Sequence, residues 1–286
     1  MRVFSWNLFH GRDFPPEPEL FTLRSKLFGA TERGRDYVQV NHDLYAQFAG
    51  LISSARWDVA MLQECPPRWA DRLARQCAAE AERSLTSRNS FGAVRAAIAE
   101  RRPDLMGSWE GGCNLTLVRR DFAAVVASEE VVLTRRPERR TVAISRLDNG
   151  TCVANLHASG PRLQAVPDCL LAAQELARFA AGSPHLLAGD FNESPRSSPA
   201  LFADLINRFG LGPIADDPDS IDQVMAFGLQ TIEPPWLWRE RLRDRGDSPH
   251  RLRLSDHAPV QASFATPKRG DERKRGIFPR TDSRHN

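Results

Sequence analysis

The sequence has no apolar run approaching the roughly 18–20 residues that cross a bilayer, so no membrane-spanning helix is expected. The opening Met-Arg-Val-Phe-Ser-Trp-Asn lacks the apolar core of a secretory signal, which points to a cytoplasmic protein. The five cysteines, Cys65, Cys77, Cys113, Cys152 and Cys169, are odd in number, widely spaced and without a C-x-x-C pair. That excludes a disulfide framework or zinc knuckle as the expected scaffold and leaves free, buried thiols. A strong charge imbalance is also missing: 39 Lys and Arg stand against 36 Asp and Glu, a formal net charge of +3. Neither a disordered polyelectrolyte nor a bulk nucleic-acid coat protein fits that balance. No internal repeat is present.

What is present is an ordinary globular composition of 41% hydrophobic and 26% charged residues over 286 positions. From Thr266 to Asn286, seven basic residues face three acids, with few apolar residues and no regular period. This segment, 266–286, is expected to be a disordered basic tail behind a single domain, 1–265.

Within that domain, Arg2–Asn7 reads as a short strand. Leu44, Phe48, Leu51 and Ile52 form one helical face behind a start at Asn41-His42-Asp43. Residues 58–64 form an apolar strand ending in a carboxylate. Pro66-Pro67 opens a helix striped by Trp69, Leu73 and Cys77. A further helical stretch carries Phe91, Val94 and Ile98. Strands are expected at 114–118, 141–147 and 151–157, the last two joined at Asp148-Asn149-Gly150. A helix over 168–181 stops at Gly182, and Ser198-Pro199 starts another that stops at Gly210. Strands at 185–191, 221–227 and 259–264 complete the set. The pattern alone predicts mixed α and β in one domain, without strict βαβ alternation.

Polar residues recur where the apolar strands end: Asn7, Glu64, His157, Asp190 with Asn192, and Asp256-His257. A strand end presents side chains on a rigid frame. Asp190 and Asn192, two apart, share a side of an extended backbone. Carboxylate and amide oxygens are hard ligands that suit Mg²⁺ or Mn²⁺. Two histidines beside such an ion suit phosphate binding and proton movement. The chemistry indicated is phosphoester hydrolysis.

The ordered series Ser5-Trp6-Asn7, Gln63-Glu64, Asn155-Leu156-His157, Gly189-Asp190-Phe191-Asn192 and Ser255-Asp256-His257-Ala258-Pro259-Val260 resembles the endonuclease/exonuclease/phosphatase superfamily, which includes deoxyribonuclease I. Gly112–Arg119 and Ser220-Ile221-Asp222 resemble two further strands of that group. The resemblance implies an α+β fold, a four-layer α/β/β/α sandwich of two packed sheets flanked by helices. It implies Glu64 as the principal metal ligand, with Asn7 and Asp256 nearby. Asp190 would orient or deprotonate the attacking water, Asn192 would hold that water or the phosphate, Asp222 would pair with His257, and His157 would donate to the phosphate. Asn114 would contact substrate.

Trp236, Trp238 and the arginines up to Arg253 lead straight into Ser255-Asp256-His257. Arg241, Arg243 and Arg245 are therefore candidate contacts to a polyanionic substrate, nucleic acid among them. The abasic-site repair branch is disfavoured, because Cys113 stands where its tyrosine is expected and only Tyr37 and Tyr45 occur anywhere. The alternative to a hydrolase is a catalytically inactive phosphate- or nucleic-acid-binding member of the same fold. No protein partner is indicated.

Overall fold

The computed structural model describes residues 1–86, 89–160, 164–239, 243–245 and 250–265. The tail expected at 266–286, and Arg241, lie outside the described residues.

In chain order the strands are β1 Arg2–Asn7, β2 Glu32–Arg33, β3 Tyr37–Gln39, β4 Val59–Cys65, β5 Ala79–Leu85, β6 Cys113–Arg119, β7 Val125–Thr134, β8 Arg140–Leu147, β9 Cys152–His157, β10 His185–Asp190, β11 Asp222–Phe227, β12 Gln230–Leu237, β13 Asp244–Arg245, β14 Arg251–Arg253 and β15 Val260–Ala265. The helices are α1 Leu23–Phe28, α2 Tyr45–Ser54, α3 Ala70–Gln76, α4 Gly92–Ala99, α5 Pro103–Met106, α6 Ala165–Ala180 and α7 Pro199–Phe209. One six-stranded sheet has the order β12-β15-β1-β4-β6-β5, and a five-stranded sheet the order β11-β10-β9-β8-β7. A small sheet, β13-β14-β3-β2, stands apart.

Three apolar clusters separate the layers. Phe4, Trp6, Ala60 and Leu62 of the first sheet pack on α2 and α3 through Phe48, Ile52 and Leu73. Ala154, Leu156 and Leu187 of the second sheet pack on α6 and α7 through Cys169, Leu176 and Leu205. Between the sheets lie Val3, Val59, Met61, Val153, Leu186, Ala188 and Val224. The result is the four-layer α/β/β/α sandwich.

The two-residue strand period decides what the sheets share. In β1, Val3 faces the other sheet, Phe4 and Trp6 face the helices, and Asn7 returns to the inner face. β4, β9 and β10 run parallel to their neighbours in the same sense, Val3 pairing with Val59 and His185 with Cys152. Their C-terminal ends therefore gather at one end of the sandwich. Moving toward that end, the seam changes from apolar to polar. Gln63 Nε2 donates to Asn155 Oδ1 across the sheets at 2.8 Å, and Ser5 lies beside them.

Several expectations are revised. α2 starts later than Asn41, whose side chain is engaged by Ser25 O and by the Asp104 amide. α6 begins a turn earlier than expected, with Pro167 in its first turn where a missing N–H costs little. β5, Ala-Glu-Ala-Glu-Arg-Ser-Leu, reads as helix-forming but is held as an edge strand by pairing with β6. β12 contains Pro234-Pro235, tolerated because the strand is an edge with irregular register. The arginine-rich stretch forms β13 and β14. Arg253 is buried there, donating to Asp244 at 2.8 Å and to the Tyr37 hydroxyl at 2.7 Å. Trp238 packs edge-on against Phe4, ring centroids 5.5 Å apart, and is partly buried against the core.

Gln63→Met is expected to lower stability by about 1–3 kcal/mol, because Asn155 Oδ1 would stay buried without its donor. Urea denaturation checks this; a loss below about 0.5 kcal/mol would show that the cross-sheet bond contributes little.

Candidate active site

The seam opens between the strand ends. Asp190 ends β10 and is 2% exposed. Its approach requires Gly189, at φ +140°, because a Cβ there would lie 1.9 Å from the Leu156 carbonyl oxygen of β9. Asn7, from the other sheet, donates its Nδ2 to Asp190 Oδ2 at 3.0 Å. The Asn192 amide donates to Asp190 Oδ1 at 2.8 Å, and its side-chain Nδ2 donates to Ala158 O at 3.0 Å. Asn7 is aimed in turn: its Oδ1 accepts from the Phe9 amide at 3.0 Å, and its own carbonyl accepts from Ser255 Oγ at 2.7 Å.

His257 lies in the loop before β15. Its Nδ1 and Asp222 Oδ2 are 2.7 Å apart, and its Nε2 is 3.9 Å from both Asp190 Oδ2 and Asp256 Oδ1. Burial disfavours the charged ring, but the charges of Asp222 and Asp190 outweigh it and push the pKa up to about 11. His157, ending β9, lies with Nε2 3.6 Å from Asp190 Oδ2 and 3.8 Å from Glu64 Oε1. Its pKa moves the opposite way, well down, through burial and then the charges of Arg140, His257 and His10. The two rings are thus pushed in opposite directions, His257 toward its charged form and His157 toward its neutral one.

Glu64 Oε2 faces His10 Nε2 at 3.3 Å, while His10 Nδ1 is 3.0 Å from the Gly111 carbonyl. Asp256 is pushed up by burial; the charge of Glu64 adds to this, while that of His257 opposes it. The structure thus gathers Asn7, Glu64, His157, Asp190, Asn192, Asp222, Asp256 and His257. Asn114 is fully buried on β6 and donates Nδ2 to Thr141 O at 2.8 Å, while its Oδ1 has no partner among the described residues. Arg243 and Arg245 sit in and beside β13, in the small sheet whose β14 leads into Asp256.

Two residues escape the sequence reading. His10 reads as an exposed loop histidine, yet its side chain is 11% exposed and faces Glu64. Arg140 opens β8 and places its Nη1 3.1 Å from both ring nitrogens of His157, with Glu138 on its other amine. The only signal for Arg140 is its place at a strand start beside Asn114's contact, Thr141. Of the eight non-glycine residues with positive φ among those described, Phe9, His10, Glu64, Asn192 and Ser255 belong to this site. Such conformations cost about 1–3 kcal/mol each and concentrate where function demands them.

The donor set suits a hard divalent cation. It is built of carboxylate and amide oxygens, several of them crowded against like charge, a situation that a cation relieves. Ligand atoms of Asp190, Asp222 and His257 also lie within 4.8 Å of one another, but the Asp222–His257 pairing makes that group a hydrogen-bonded set beside the Glu64, Asn7 and Asp256 oxygens and not itself the ligand set.

A sequence model of the Endonuclease/Exonuclease/phosphatase family matches residues 4–257. The chain belongs to that family. Its fold is shared by solved structures of low identity. One is an endonuclease/exonuclease/phosphatase from Bacteroides vulgatus, 14% identical, TM-score 0.59, covering 93% of this chain and 98% of that one. Another is the mannosyl-6-phosphatase Bt3783 of Bacteroides thetaiotaomicron, 15% identical, TM-score 0.60, covering 93% and 99%. Truncated Caenorhabditis elegans TDP2 is 15% identical, TM-score 0.55, covering 92% and 96%. No curated protein sequence matches the chain.

The raised pKa of His257 gives a pH prediction. In the wild type the ring stays protonated until pH rises through about 11. Removing the Asp222 charge lowers that pKa, so the protonated fraction falls at a lower pH than in the wild type. Asp222→Asn is therefore expected to lower the His257 pKa seen by NMR titration. An unchanged His257 titration would refute the assignment.

Proposed function

We propose that this protein is a divalent-metal-dependent phosphoesterase that cleaves a phosphodiester or phosphomonoester by in-line attack of an activated water. The observation that carries the reading is the pair of histidines on either side of Asp190 Oδ2, at 3.6 Å and 3.9 Å, one backed by the Asp222 carboxylate and the other by the Arg140 guanidinium. Groups whose environments separate their pKa values divide acid and base work between them.

In this reading Asp190 orients the attacking water and takes its proton. Burial has raised its carboxyl, which improves it as a base near neutral pH. Asn192 holds that water or a phosphoryl oxygen. The His257 imidazolium, held by Asp222, stabilises negative charge on the phosphoryl group. Neutral His157 has one N–H to donate to the same group, and Arg140 supplies a permanent positive charge behind it. Glu64, with Asn7 and Asp256, would hold the ion, Mg²⁺ or Mn²⁺ by the hardness of its donors. When bound, it supplies polarisation of the phosphoryl oxygens and stabilisation of the leaving oxyanion. Arg243, Arg245 and Arg241 extend the reading as contacts to a longer polyanionic substrate. The fold shared with a mannosyl-6-phosphatase adds sugar phosphates to nucleic acids and phospholipids as substrates to screen.

The test is hydrolysis of p-nitrophenyl phosphate and bis-p-nitrophenyl phosphate with Mg²⁺ or Mn²⁺. Turnover is expected with at least one, abolished by EDTA and lowered at least about 10²-fold by Glu64→Gln. Turnover that survives both treatments would overturn the metal assignment. Absence of turnover on both esters and on the screened phosphates would overturn the hydrolase reading.

A further inference from the structure

We propose that α1 and α4 form a docking face for an anionic phospholipid bilayer. Both helices turn apolar side chains outward. Leu23, Leu27 and Phe28 of α1, and Phe91, Val94 and Ile98 at α4, are all exposed, Phe28 at 73% and Phe91 at 80%. Isolated exposed apolar residues are ordinary, but a contiguous set marks an interaction surface. The two helices are tied together: α1 and α4 both contact α5, and Arg102, just beyond α4, donates to Leu27 O at 3.2 Å. A shallow groove lined by Val94, Ile98 and Arg102 runs along α4.

The charge on this face selects the occupant. Arg24, Lys26, Arg95, Arg101 and Arg102 interleave with the apolar residues. Glu100 is the exposed acid among them, while Asp104 is buried. Cations alternating with Leu, Phe and Ile match a bilayer surface, where headgroup phosphates meet acyl chains. A second copy of the same face would bring like charges together, and cores of protein interfaces are depleted of charge. The segment 266–286 is itself basic and is a poor cover for a cationic surface. The face also adjoins the site: Phe21 packs on Phe14 at 5.1 Å, and Phe14 on Phe9 at 5.4 Å between ring centroids. This inference stands whether or not the chain hydrolyses phosphoesters.

The experiment is co-sedimentation of the full chain with phosphatidylcholine vesicles containing 0% or about 30% phosphatidylglycerol, at low and high salt. Wild type is expected to bind the anionic vesicles, more weakly at high salt. Phe28→Glu/Phe91→Glu/Val94→Glu should weaken binding at least about tenfold, and Arg24→Glu/Lys26→Glu should weaken it in the same direction. All five positions are exposed, and circular dichroism checks that the fold persists. Absence of wild-type binding, or binding unchanged by the triple substitution, would overturn the proposal. So would a wild-type dimer, seen by light scattering, that the triple substitution turns into a monomer.

Discussion

A carboxylate buried between two sheets costs several kcal/mol unless donors or opposite charge meet it. Asp190 is in that position, and much of the surrounding structure answers to it. Both of its oxygens accept hydrogen bonds, one from Asn7 on the opposite sheet and one from the Asn192 amide. The first of these fixes how the two sheets are offset, because Asn7 must arrive at the seam when β10 ends. The second requires the chain to turn at Asn192 with positive φ. Gly189 is needed because β9 leaves no room for a Cβ. The Gln63–Asn155 bond then forms a polar floor that separates these groups from the apolar seam below.

The two histidines show how position makes identical side chains different. His257 is approached by Asp222, Asp190 and Asp256, which raise its pKa. His157 is more deeply buried and faces the Arg140 guanidinium, and its pKa is lowered. The arrangement is cooperative. A protonated His257 offsets the mutual repulsion of Asp222 and Asp190, and the ionised carboxylates in turn keep His257 protonated. The neutral His157 sits near acidic groups without cancelling their charge, which leaves them available to an external cation.

Much of this was legible in the sequence for a physical reason. β1, β4, β9 and β10 are buried on both faces, so each reads as an apolar run, and the first polar residue after the run marks the sheet's end. Asn7, Glu64, His157 and Asp190 were visible as that punctuation. β5 was not visible, because Ala and Glu favour helix and only pairing with β6 makes them a strand. α4 was visible as a helix, but its apolar stripe does not face the core. His10 was hidden because Phe9 and His10 adopt left-handed backbone, φ +48° and +54°, which turns the ring back to Glu64. A local pattern cannot express that reversal. Arg140 was hidden because one arginine of an Arg-Arg pair at a strand start looks like solvated charge.

The formal net charge of +3 conceals a radial separation. Inward, Glu64, Asp190, Asp222 and Asp256 converge on two histidines and Arg140. Outward, α1 and α4 carry cations with few exposed acids to balance them. The Arg253–Asp244–Tyr37 cluster adds a third arrangement, in which opposite charges satisfy each other inside the small sheet. Total charge therefore says little about partners here, because regions of opposite sign offset one another in the sum but not in space. An approaching anion meets the local potential, not the total. The acidic site and the cationic helices thus differ in local charge although the Phe9–Phe14–Phe21 ring contacts lead from one toward the other.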